Sequence, residues 1–131
     1  MLRRGGYPHL LRRITDRGAR LTVVELNPEL VGEQDGYRVT LDASRLGGCD
    51  KVVATSTLLL NDTIDRMLEY CRNARSFAMV GPSAGCLPDA LFARGVTLLG
   101  GSWINDGDGF TAALRRGEPL SDYAGKFALT P

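Results

Sequence analysis

The sequence predicts an α/β protein, a Rossmann-like three-layer sandwich with a mostly parallel sheet whose first strand is missing. Short apolar, β-branched runs alternate with segments of helical spacing along most of the 131 residues. The runs end in glycines, an Asn-Pro pair or hydroxylated residues, and no repeat or low-complexity stretch interrupts them. Strands separated by helices need right-handed crossovers, which make a parallel sheet covered on both faces.

Each element has its own warrant. Pro8 to about Arg17 predicts a helix: Pro8 suits the first helical position, Leu10, Leu11 and Ile14 share a face, and Gly18 stops it. Leu21 to Leu26 reads as a buried strand closed by Asn27-Pro28. From Glu29 to Gly48 the pattern weakens, and Tyr37 to Leu41 is either a short strand or an extended crossing. Lys51 to Ala54 is the next strand. The helix after it starts near Asp62, with Asp62 as cap, Asp65 three residues on, and Ile64, Met67, Leu68 and Cys71 as its apolar face. Ser76 to Val80 is a strand, Leu87 to Arg94 a helix stopped by Gly95, and Val96 to Leu99 a strand closed by Gly100-Gly101. A helix from about Gly109 to Arg116 and a final edge strand at Lys126 to Leu129 complete the order.

The opening departs from this pattern. Gly5-Gly6 and the first helix follow only Met1-Leu2-Arg3-Arg4, too short and too charged for a buried central strand. The expectation is a single domain, residues 1–131, that begins inside its own fold and leaves neighbouring strand edges open to another chain.

Composition excludes several classes. The chain is 44% hydrophobic and 24% charged with a formal net charge of +1, an ordinary globule with no field toward nucleic acid. No apolar run approaches the ~20 residues of a membrane span. No charged-then-apolar leader is legible, and Cys49, Cys71 and Cys86 are an odd, widely spaced set, which favours a reducing cytoplasm. The arginines at 3, 4, 12, 13, 17 and 20 read as a solvated helix face, with phosphate or an acidic partner as the alternative.

Two strand-to-helix corners hold most of the candidate chemistry, because open α/β sheets bind ligands at strand carboxyl ends. Thr55, Ser56, Thr57, Asn61 and Thr63 offer hydroxyl and amide groups, whose competing role is capping. Gly81, Pro82, Ser83, Ala84 and Gly85 can present backbone N–H groups to an anion, the alternative being a plain tight turn. No Lys-Ser or Lys-Thr follows to make a P-loop, and Ser83 lacks a nucleophile-elbow frame. Gly100 and Gly101 lie at a third strand end before Trp103, which is read as a packed tryptophan rather than a stacking surface. Glu25, 19 residues after Gly6, is placed to bond ribose hydroxyls of a nucleotide or adenosyl cofactor, although Gly5-Gly6-Tyr7-Pro8 is not a GxGxxG. For a metal ion the donors are His9, Cys49, Cys71, Cys86, Glu25, Asp106 and Asp108. Cys86 leads because a helix start lowers a thiol's pKa, but no paired spacing occurs.

The order of these elements resembles a known family. The Thr-rich strand end leading to Asn61 and Thr63, Gly81-Pro82-Ser83, Leu87-Pro88, Leu91 to Val96, Gly100-Gly101 and Gly18-Ala19 to Asn27-Pro28 carry the resemblance, over residues 5 to about 117. It is to the carboxyl-terminal Rossmann-like domain of the family named "putative heavy-metal chelation", formerly a domain of unknown function. The resemblance implies an upstream enolase-amino-terminal-like domain, absent here, and a cleft between the two that takes a metal or metal-bearing small molecule. It brings no established reaction. The reading is a protein that binds a small polar or metal-containing ligand at the strand ends. Its rivals are a nucleotide- or adenosyl-dependent enzyme using Glu25 and a truncated domain acting only in assembly, as a homo-oligomer or with an upstream-domain partner.

Overall fold

A computed structural model describes residues 8–34 and 36–131, a mixed α/β arrangement with two sheets. The residues before Pro8, where the missing first strand and Gly5-Gly6 were at issue, lie outside it. Two compact units divide at Arg45 and Leu46.

In the first unit, α1 (Pro8–Thr15) precedes β1 (Leu21–Val24). Asn27 does not simply end the strand: its side chain accepts from the Glu29 N–H and caps a one-turn helix, Pro28–Leu30. The ambiguous stretch resolves into a hairpin, β2 (Gly32–Gln34) antiparallel to β3 (Tyr37–Thr40), with β1 parallel to β3. Gly36 takes φ +82°, the left-handed conformation that a two-residue hairpin turn demands.

The second unit holds the larger, mostly parallel sheet in the order β4 (Lys51–Thr55), β5 (Ser76–Val80), β6 (Leu98–Ile104), β7 (Ala124–Leu129). The first three are parallel and β7 is antiparallel, an edge as expected. Its helices are α2 (Ile64–Tyr70), α3 (Asp89–Phe92) and α4 (Gly107–Arg116). One sheet face carries Val52, Phe77, Met79 and Leu99, packed with Leu68 and Cys71 around α2 and Leu91 of α3. Met79 and Leu99 are 0% exposed. Each such side chain removed from water contributes roughly 1.5–3 kcal/mol.

Three expectations need correction. Asp62 does not cap α2: it adopts φ +58°, Thr63 holds the cap position without a side-chain bond, and Asp65 pairs instead with Arg94. The predicted Leu87–Arg94 helix is only the single turn of α3, since Leu87-Pro88 still belongs to the preceding loop. Gly100-Gly101 do not close their strand. β6 runs through them to Ile104 because β7 supplies hydrogen-bond partners along its whole length.

Candidate functional site

The parallel register levels the three strand ends: Thr55 stands beside Val80, and Val80 beside Gly100. The first residues beyond are then forced together. The Gly81 N–H donates to the Gly100 carbonyl at 2.9 Å, continuing the ladder by one bond. Ser56 turns its hydroxyl onto the Gly81 α-carbon, where a Cβ would collide with it, and Gly81 has φ +148°. Glycine is therefore required there for both conformation and space. On the other side, a Cβ on Gly101 would stand 3.4 Å from the Ala84 Cβ. Corner residues from β4, β5 and β6 thus meet in one place.

The hydrogen-bond inventory separates scaffolding from spare capacity. Thr55 Oγ1 accepts from the Thr57 N–H at 3.0 Å and bonds the Thr57 hydroxyl at 2.7 Å, capping a one-turn helix, Ser56–Leu59. Asn61 and Thr63 tie the next turn. The amide orientation that satisfies Asn61 donates to the Thr57 and Leu58 carbonyls at 3.2 and 3.3 Å, and its side chain contacts Thr63 Oγ1 at 2.6 Å. These three residues are occupied in holding the loop. In the second corner, Ala84 N–H donates to the Gly81 carbonyl and Cys86 N–H to the Ala84 carbonyl. The N–H groups of Ser83 and Gly85 meet no acceptor among the described residues, and Pro82 has no N–H to offer. Ser56, 2% exposed, hydrogen-bonds through its hydroxyl to no described residue.

The profile of one family, DUF364, described as "Putative heavy-metal chelation", matches residues 5–130. The chain belongs to the DUF364 family. A solved DUF364 protein of unknown function from Pyrococcus horikoshii superposes with a TM-score of 0.79 at 20% identity, over 97% of this chain and 53% of that one. Another, from Desulfitobacterium hafniense, gives 0.66 at 21% identity, over 95% of this chain and 62% of that one. The uncharacterized protein MJ0500 of Methanocaldococcus jannaschii is 39% identical over 59 residues, 45% of this chain and 23% of that protein. The chain therefore spans about half to three fifths of these solved relatives and under a quarter of MJ0500.

The DUF364 description raises a metal, and the donors can be tested for fit. No three His, Cys, Asp or Glu residues gather among the described residues. Cys71 is buried in the core, and burial, then neighbouring Cys49, pushes its thiol up to about 11, away from the thiolate that binds metal. Cys86 is exposed in the corner, and the next helix is the single turn beginning at Asp89. Asp106 caps α4 by accepting from the Gly109 N–H at 3.0 Å, and Asp108 sits in the first turn of that helix. The described residues do not build a metal-ion shell. What the corner offers, two N–H groups and a hydroxyl without partners among the described residues, suits an anion.

Glu25 follows β1, half-buried, its N–H donating to the Thr40 carbonyl at 3.0 Å. The glycines it was paired with lie outside the described residues, as does the His9 side chain. Trp103 is a correction. It is 69% exposed rather than packed, because it sits on the part of β6 that outruns β5. The second unit also carries a groove of about 530 Å³ lined by Asp65, Arg66, Leu68, Glu69 and Arg94, but its charges are satisfied in part by the Asp65–Arg94 pair. No helix among the described residues is long and apolar enough to cross a membrane.

Proposed function

We propose that this DUF364 chain binds a small polar or metal-containing ligand at the carboxyl ends of β4, β5 and β6, within one Rossmann-like three-layer domain spanning residues 1–131. One observation carries the reading: three strand ends are level, and the corner they share leaves the Ser83 and Gly85 N–H groups and the Ser56 hydroxyl without a partner among the described residues. Backbone donors in a turn at a sheet's carboxyl edge can hold an anion. The family's description supports a metal, and the corner's chemistry favours one carried inside an anionic complex over a bare ion. Gly81, Ser83, Gly85 and Ser56 contact the ligand in this reading. Thr55, Asn61 and Thr63 shape the loop around it, and Gly100 and Gly101 let the backbones approach. The odd cysteine count supports a reducing cytoplasm.

Calorimetric titration with nickel alone, citrate alone and nickel citrate tests this. The chain is expected to bind the citrate-bearing forms, and Ser56→Ala to weaken them by roughly tenfold, the worth of one buried hydrogen bond to a charged group. Binding of bare nickel with no response to either citrate form, or binding indifferent to Ser56→Ala and Gly81→Ala, would contradict the reading.

A further inference from the structure

The corner has an aromatic neighbour with an open face. Leu99, Gly101 and Trp103 share one side of β6, and Leu129, Phe127 and Gly125 stand opposite them on β7. The Phe127 ring closes over Gly101, lying 2.7 and 2.8 Å from where a Cβ would be. The next pair is inverted, with the large residue on β6 and the glycine on β7. Yet only the Asn105 amide comes within 4 Å of a Cβ position at Gly125, so the indole does not fold back onto it. Trp103 is left 69% exposed, roughly 7 Å along the strand from Gly101, on the side where Gly101 faces Ala84 of the anion-suited corner.

The strand edge beside it is also open. The Gly100 carbonyl points to the β5 side, accepting from Gly81, while the Asn105 N–H points to the β7 side, donating to Tyr123. By alternation, the Ser102 N–H and carbonyl point to the β5 side, past the end of β5, where one donor and one acceptor sit together. An indole face next to a donor–acceptor pair and an anion corner matches a flat heteroaromatic ring with a negatively charged substituent.

We propose that Trp103 is the stacking platform for such a ring, whose anionic group occupies the Ser83–Gly85 corner. The proposal rests on the reading of that corner as a ligand site and names the class of ligand. Trp103 is the chain's only tryptophan, so its fluorescence reports on this position alone. Adenosine 5′-monophosphate should quench and shift that emission, whereas ribose 5-phosphate, the same anion without the ring, should bind roughly tenfold more weakly and leave it unquenched. By calorimetry, Trp103→Leu should lower the adenylate affinity to that of ribose 5-phosphate, and Trp103→Phe should recover part of it. Equal affinity for the two probes, or Trp103→Leu without effect, overturns the platform and leaves the corner standing. Failure of both probes to bind overturns the platform; only failure in the citrate titration as well brings down the corner. Emission that follows protein concentration instead of ligand identifies a second copy as the occupant and also overturns it.

Discussion

The two halves of β6 each meet β7 in an aromatic–glycine pair and end in opposite states. From Leu98 to Gly100 the strand lies between β5 and β7, Leu99 is fully buried, and at Gly101 the Phe127 ring fills the missing side chain. From Ser102 to Ile104 it has only β7, and the aromatic–glycine pair there stays open. The difference arises one strand away. β5 stops at Val80, where Gly81 takes φ +148° with the Ser56 hydroxyl against it, and beyond that point β6 has one free edge among the described residues. Shape complementarity decides the first half, and the second keeps unused capacity where a ligand would sit.

Substitutions along this one face should fall off in their effect on stability as they cross that boundary. Leu99→Ala removes a fully buried side chain and should cost about 2–5 kcal/mol, read as a lower denaturant midpoint. Gly101→Ala sets a methyl group against the Phe127 ring, whose tip must shift; about 1–3 kcal/mol is expected in the same measurement. Trp103→Ala should change stability by less than about 0.5 kcal/mol, because the indole is already in water. A large loss at Trp103 would break the comparison, showing that the outer half is also closed by packing.

A separate contrast concerns the cysteines and pH. The Cys71 thiol titrates near 11 in the folded chain against an ordinary 9.0, because burial disfavours its thiolate. The unfolded chain therefore holds fewer protons across that interval, and stability should fall as pH rises from 9.0 toward 11. Replacing Cys71 with Ala should flatten that slope in a pH series of thermal unfolding; an unchanged slope would contradict the assignment.

Local chemistry made the second unit largely legible. The β-branched run located β4, the apolar run Phe77 to Val80 located β5, the terminal apolar run located β7, and the glycine corners fall at strand carboxyl ends. What escaped depended on neighbours. The β2–β3 hairpin carried a signal in Asp35-Gly36, a two-residue turn pair, that a weak flanking pattern obscured. Gly100-Gly101 read as a stop because glycine disfavours strands, but here the glycines admit Val80 and Phe127, a requirement set by other strands. Asp62 looked like a cap by spacing alone. The actual cap of the preceding turn is Thr55, and Asp62 takes the left-handed residue that joins that turn to α2. Trp103 was expected to pack because large aromatics usually do. Its exposure follows from where β5 ends, which no single segment reveals.

The most direct test of the central claim is an amide NMR titration of the chain with nickel-free citrate. The Ser83 and Gly85 amides should move most, with Ser56 and Gly81 following, while residues lining the Asp65–Arg94 groove stay still. Shifts centred on that groove, or on the first unit, with the Ser83 and Gly85 amides unmoved, would contradict it.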